Sequence, residues 1–481
     1  MKPVKRSDSG WLFPAALLVG AVTVLRLAAL AFNGTDLFVD ESQYWLWGQT
    51  LDFGYYSKPP LIAWVIRAVT DLAGSDAAFW VRMPGAIFHG VTALILAALA
   101  ARLYGARVAV WVAASYVTLP MVAVGSLLIS TDTIMAPFFA AALLFHFIAV
   151  DSGKARFAAL AGAAAGLAFL AKYAAVYFLL GAGLAALISP AMRLPWRAVG
   201  AMLLAFGLVI LPNILWNLGH DLATVEHTMD NVGWLRGGAA LNLGGLAGFF
   251  GAQFAVFGPV LFGALLWRAL RSAPGVERAL LAFVLPVLAV VCVQALLEKA
   301  YANWAVAAYF GGVLVVVPAL VARAPRLLWL SLAVNGAIAL ALPLLTLMPE
   351  ARFGRDAPLL ERYLGRADLS RQIIAAAQAA GGVPVLVENR DLLADLFYTG
   401  AGTGLAFHAP RPEGRPRNFY EQTHPLPDDL RGPLLLVSEA APVCLGAPLA
   451  PVVRFDTAGG AHARKSLAGY LLSEDCRDAR P

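Results

Sequence analysis

Residues 40–60 read DESQYWLWGQTLDFGYYSKPP and follow an apolar run. Two adjacent carboxylates, Asp40 and Glu41, open the stretch; Tyr55, Tyr56 and Lys58 close it before a double proline. A carboxylate serves as a general base or holds an acceptor group. A lysine ammonium binds phosphate oxygens as a compact point charge. Asp40 and Glu41 are the candidate catalytic acids; on a helix, neighbouring residues point about 100° apart, so at most one of them faces a substrate squarely and the other holds structure. Further candidates recur along the chain. STDT (130–133) presents Asp132, and Lys172 and Tyr173 stand together at 172–173. WNLGHDLATVEHTMDN (216–231) carries His220, Asp221, Glu226 and His227; EKAYANW (298–304) carries Glu298, Lys299, Tyr301, Asn303 and Trp304. Lys58, Lys172 and Lys299 are the candidate phosphate ligands. Tyr55, Tyr56, Asp132, His227, Tyr301 and Asn303 are the candidate substrate contacts. The plainer reading of any one of them is a residue snorkelling at the end of a span. No Cys/His cluster has zinc spacing, and neither a cofactor nor a metal is assigned, although a divalent ion between His227 and a carboxylate stays open.

The elements that position these groups are membrane spans. The chain has 481 residues, is 60% hydrophobic and only 14% charged, with mean hydropathy +0.71. A soluble domain has about 25% charged residues. A span needs about 20 mostly apolar residues, and about eleven segments qualify, with thirteen as the upper count: 11–32, 79–101, 108–124, 131–150, 157–171, 173–190, 197–217, 242–267, 279–297, 303–322 and 327–348. The apolar run 157–190 divides at Lys172. The first segment follows a basic start (Lys2, Lys5, Arg6) without a small-residue cleavage signal, and reads as a retained span. Alternating the loops puts fourteen Lys and Arg on one side and six, including Arg236, on the other. Basic loops mark the cytoplasm, so the candidate residues face outside. The net charge of +6 and pI near 9.3 follow from those loops and do not argue for nucleic acid. PPLIAWVIRAVTDLAG (59–74) suits an interfacial helix, and Tyr44, Trp45 and Trp47 read as an interfacial aromatic belt. Arg26, inside the first span, is expected to pair with an internal acid or to snorkel. Residues 349–481 are less apolar. VPVLVENRDLLADLFYTG reads as strand then helix, and GPLLLVSE and APVVRFDT as strands. The expected organisation is a transmembrane domain, 1–348, and a small α/β domain outside the membrane, 349–481. Cys444 and Cys476 both lie in that domain; the sequence leaves open whether they form a bridge.

DESQYWLWGQTLDFGYYSKPPLIAW, together with STDT, AKYAAVYF, GHDLATVEHTMDN and EKAYANWAVAAY, resembles the bacterial branch of glycosyltransferase family 39, over residues 10–320. This is the clade of lipid A aminoarabinose transferases and protein O-mannosyltransferases. The resemblance implies a GT-C fold and inverting transfer, outside the inner membrane, of a sugar carried on a polyprenyl phosphate. It places the family's essential acid on Asp40, its Asp-Glu pair on Asp40 and Glu41, and the lysine of a Glu-Lys-Pro-Pro motif on Lys58. Ser57 stands where that motif has glutamate, which argues against aminoarabinose. The span 218–241 has no room for a folded insertion, so an envelope glycolipid such as lipid A, or another glycan, is favoured as acceptor over protein. Two rival readings are a lipid or sugar transporter and a non-catalytic assembly subunit. Transporter sites lie near the bilayer midplane in repeated halves, whereas these polar residues lie at span ends and no repeat is visible.

Overall fold

The computed structural model describes residues 9–233, 241–271 and 275–476. Lys2, Lys5, Arg6 and Arg236 lie outside the described residues. Seven described helices are long and apolar enough to cross a bilayer: Leu12–Ala31, Ala78–Tyr104, Thr131–Ser152, Trp196–Gly219, Gly275–Leu297, Ala302–Arg323 and Pro325–Leu347. Three shorter apolar helices, Ala106–Val117, Ala155–Ala171 and Tyr173–Ile188, occupy three further expected spans. The segment 242–267 departs from the single span expected. It forms two helices, Leu243–Val256 and Pro259–Ala269, bent by 116°. Gly258 at the break has φ +88°, a region open essentially to glycine, and Pro259 has no N–H to continue the first helix.

The chain divides into two compact units. One comprises residues 1–31, 52–69 and 82–344; the other comprises 32–51, 70–81 and 345–481. In the first unit, small residues let helices approach closely, as in membrane packing generally. A Cβ at Gly162 would collide with the Met202 carbonyl, and one at Gly166 would stand 2.8 Å from Val209 Cβ. The Ala155–Ala171 helix therefore lies backbone to backbone against Trp196–Gly219. Its end at Lys172, followed by the 3-10 turn Tyr173–Val176, is thereby held beside Asn213 and Asn217. The break at Lys172 falls where the sequence divides the apolar run. Arg26 is 3% exposed and donates to the Val117 carbonyl oxygen. Among the described residues it has neither the acid nor the snorkelling expected of it; a helix carbonyl takes its charge-assisted bond.

Among the described residues the second unit has seven short strands: β1 Val385–Val387, β2 Phe407–His408, β3 Leu434–Ser438, β4 Val443–Cys444, β5 Ala447–Pro448, β6 Val453–Arg454 and β7 Ala468–Leu472. Five form a sheet in the order β2-β1-β3-β7-β6, while β4 and β5 make a hairpin. β1 runs parallel to β2 and β3, and β7 is antiparallel to β3. The strand–helix sequence expected at 383–400 is β1 followed by the helix Arg390–Thr399; GPLLLVSE is β3 and APVVRFDT contains β6. Cys444 and Cys476 form a disulfide across a sequence separation of 32. A loop of that length contributes about 3–4 kcal/mol by chain entropy.

The first loop takes part in this unit. Asp36 accepts from the amides of Arg366 (2.8 Å) and Ala367 (3.4 Å), capping the Arg366–Ala379 helix from 330 residues away. Tyr44, Trp45 and Trp47 are 5%, 3% and 1% exposed, so they are not the interfacial belt expected. Trp45 stacks edge-on against Tyr398 at 5.0 Å and donates to Asp76 (2.8 Å); Trp47 meets Phe419 at 5.8 Å. Burying these rings inside the unit removes more apolar surface from water than an interface would.

Candidate active site

In the membrane unit, Asp132 begins the Thr131–Ser152 helix, whose cap is Ser130, accepting from the Thr133 amide at 3.3 Å. STDT thus acts as an N-cap string, and it also carries a functional group. Lys172 Nζ donates to both Asp132 oxygens, at 2.7 and 2.9 Å, and Asn303 Nδ2 donates to Oδ2 at 2.8 Å. Three candidates from distant loops therefore meet. The Lys172 and Asp132 side chains are only 18% and 12% exposed. The charge of Lys172 is matched within the protein, and a phosphate arriving there would share it with Asp132. Next to Lys172, the Tyr173 hydroxyl donates to Asn213 Oδ1 (3.0 Å) and accepts from Asn217 Nδ2 (3.2 Å). Asn213 Nδ2 donates to the Phe53 carbonyl at 2.7 Å, and Thr224 Oγ1 to the Tyr55 carbonyl at 2.6 Å. These bonds tie the loop of Tyr55, Tyr56 and Lys58 to the unit. Burial pushes the Tyr55 phenol up to about 12, with a hydrogen bond from the Asp52 amide opposing, so this tyrosine is a neutral group at working pH.

His227 lies against Tyr56, with ring centroids 5.0 Å apart, and its Nε2 is 2.9 Å from Asn231 Nδ2. Lys299 Nζ sits 4.6 Å from the Tyr301 ring centroid, a cation–π arrangement. Among the described residues, no three His, Cys, Asp or Glu side chains gather closely enough to hold a metal ion.

Asp40 and Glu41 belong to the other unit. Glu41 is 2% exposed and accepts from the Phe38 amide at 2.9 Å. It turns back onto the first turn of its own helix, Val39–Gln49, where a carboxylate also favours the dipole. Asp40 points elsewhere. Arg390 Nη2 donates to Asp40 Oδ1 at 2.6 Å, and Arg390 Nε to Gln43 Oε1 at 3.0 Å. The Asp40 side chain keeps 48% exposure. Burial pulls the Arg390 guanidinium down, but the Asp40 carboxylate more than offsets this and holds it above its usual range.

Arg390 and Gln43 are absent from the candidates read off the sequence. Arg390 stands 350 residues from Asp40; its only local signal is a charged residue at the join of a strand and a helix, in VENRD. A buried polar chain in the membrane unit was also missed. His89 Nδ1 lies 3.0 Å from the Tyr116 hydroxyl, and His89 Nε2 lies 3.3 Å from Thr133 Oγ1. It anchors the helix end that carries Asp132. An intramembrane histidine is a functional signal by itself.

Residues 57–216 match the family described as dolichyl-phosphate-mannose-protein mannosyltransferase. Over 465 residues the chain is 41% identical to the lipid A galacturonosyltransferase RgtD of Rhizobium johnstonii, covering 96% of this chain and 98% of the relative. The crystal structure of ArnT from Cupriavidus metallidurans in the apo state superposes with TM-score 0.66 at 13% identity, over 97% of this chain and 98% of that one. The same protein bound to undecaprenyl phosphate gives 0.58 at 16% identity, over 98% and 100%. At these identities the solved structures establish the fold.

Proposed function

This chain belongs to the family of membrane glycosyltransferases that contains the Rhizobium lipid A galacturonosyltransferase, has the GT-C fold, and, we propose, moves a sugar from a polyprenyl phosphate to lipid A or its core at the outer face of the bacterial inner membrane. Membership in a glycosyltransferase family leaves the transporter alternative without support. The name of the relative supports galacturonic acid as the sugar and lipid A as the acceptor. The ArnT complex supports a polyprenyl phosphate as the carrier. The observation that carries the reading is the Asp40 carboxylate: half exposed at the start of a helix, with Oδ1 held by Arg390.

In this reading the acceptor hydroxyl oxygen attacks the anomeric carbon of the donor sugar. Its proton passes to Asp40, which acts as general base. The bond from the anomeric carbon to the phosphate oxygen breaks, the configuration inverts, and the electron pair leaves with the polyprenyl phosphate. Lys58 and Lys299 stabilise the developing charge, while Lys172 is committed to Asp132 and positions the segments around it. Each preorganised donor of this kind contributes about 3–4 kcal/mol. Glu41 holds the helix that presents Asp40. Tyr55, Tyr56, His227, Tyr301 and Asn303 line the approach of the substrates. The α/β domain and the loops bearing these residues lie on the periplasmic side. Mass spectrometry of envelope glycolipids from a strain lacking this protein tests the reading. Loss of a hexuronic acid from lipid A or its core is expected; an unchanged glycolipid profile overturns it.

A further inference from the structure

The chain leaves β1 through the Arg390–Thr399 helix and reaches β2 on one side. It then passes through the Phe419–Thr423 helix to β3 on the other side of β1. Strand order therefore reverses between β1 and β3. In open α/β sheets, the crevice outside the carboxyl ends of the strands at such a reversal is where ligands bind. A cavity of about 620 Å3 lies at this place, inside the range of roughly 300–1,000 Å3 for small-molecule clefts. Glu388 and Asn389, which follow β1, and Glu439, which follows β3, line it together with Arg390, Arg417 and Lys465.

The chemistry of the lining narrows the occupant. Each cation already faces a carboxylate. Arg417 lies 2.9 Å from Glu421, Lys465 lies 2.9 Å from Glu439, and Arg390 lies 2.6 Å from Asp40. Free amides at a helix start would hold an anion, but here the Asp391 and Leu392 amides donate to Asn389 Oδ1 at 2.8 and 3.4 Å. Both devices that would capture a phosphate are thus used within the protein. What the crevice presents is an alternation of N–H donors and carboxylate acceptors. Hydroxyl groups, which both donate and accept, match that alternation.

We propose that this crevice binds the saccharide headgroup of the acceptor glycolipid through its hydroxyls, with Glu388 and Glu439 accepting and Lys465 and Arg417 donating. The proposal rests on the reading of the chain as a glycosyltransferase. Arg390 stands in the same wall and holds Asp40, so a bound headgroup and the candidate base contact one guanidinium.

The test uses the full-length protein in nanodiscs, with deacylated, dephosphorylated acceptor oligosaccharide as the calorimetric probe. The wild type binds it. Glu388→Gln combined with Lys465→Gln weakens binding by about tenfold or more, the equivalent of about 1.4 kcal/mol, at an unchanged thermal midpoint. In transfer assays the same double variant raises the acceptor KM and leaves the donor KM and kcat in place, and inorganic phosphate does not compete with the probe. Failure of the wild type to bind the oligosaccharide, or unchanged affinity in the variant, overturns the proposal. A shift in the donor KM instead would make the donor sugar the occupant, and competition by phosphate would make this an anion site; either result also overturns it. If the oligosaccharide binds as expected but no sugar is transferred to any acceptor, the glycosyltransferase reading falls and the glycan site stands. If transfer proceeds and the variant is silent, the glycan site falls alone.

Discussion

Asp132 and Asp40 are each held by a cation, one in the membrane unit and one in the unit that contains the α/β domain. Lys172 takes both oxygens of Asp132 and Asn303 adds a third bond, with the carboxylate mostly buried. Arg390 takes Oδ1 of Asp40, and half of that side chain stays exposed. A carboxylate engaged on both oxygens accepts a substrate proton only after giving up a bond. One held at a single oxygen is oriented and still reachable. The difference supports the proposed base role of Asp40 and a structural role for Asp132, although both look alike as acids near a span end.

The largest expected effect is on Asp40. Asp40→Asn keeps the shape and removes the base, and transfer in membranes supplied with donor and acceptor drops by about 100- to 10,000-fold at an unchanged thermal midpoint. A rate within a few-fold of wild type would overturn the base role of Asp40 and would fit an acceptor phosphate that is already ionised. For Asp132 the expected loss is stability. Lys172→Ala leaves a buried carboxylate without its cation and costs about 3–5 kcal/mol, read by unfolding in detergent. Lys172→Met combined with Asp132→Leu recovers most of that loss. Were Lys172→Ala to abolish transfer at wild-type stability, the pair would belong to the chemistry.

The second unit also responds to pH. His462 is buried, and burial followed by the charge of Arg366 pulls its imidazole down to about 4 from 6.5. The folded state therefore binds fewer protons than the unfolded state between those values. The stability this histidine contributes is present above pH 6.5 and is lost as pH falls toward 4, by up to about 3 kcal/mol at about 1.4 kcal/mol per unit. His408 and His424, both partly buried, are lowered in the same direction. His462→Gln is therefore expected to flatten only part of the acid limb of the thermal midpoint against pH; an unchanged limb would remove His462 from the account. The smallest effect is on orientation. Arg390→Lys keeps a charge near Asp40 but loses the fork that also reaches Gln43, and kcat falls by about tenfold, or 1.4 kcal/mol, with the thermal midpoint held. A silent Arg390→Lys would mean that Asp40 is positioned by its helix alone.

Much of the fold is legible along the chain because the signals are local. Apolar runs of span length, the break at Lys172, the Ser130 cap and the short apolar runs of β1 and β3 depend on near neighbours. The aromatic cluster Tyr44, Trp45 and Trp47 was misread for the converse reason. Its rings look the same in sequence whether they meet lipid headgroups or Tyr398 and Phe419. The bent pair at Gly258 and Pro259 was marked by its residue types, yet an apolar run masks a bend when only hydropathy is counted.

A polytopic membrane protein with an α/β domain, a first loop rich in acids and aromatics, and Asp40 as the candidate acid follow from residue types and their order along the chain. What holds that acid, and what the other candidates do, depends on how distant segments pack. Arg390 reaches Asp40 across 350 residues, and Asn303 reaches Asp132 across 171. Such partners leave no periodic trace, because a hydrogen bond between side chains requires proximity in space and nothing of the residues between them. The same physics makes Glu41 a cap, Lys172 a matched charge and Asp40 an oriented, accessible carboxylate.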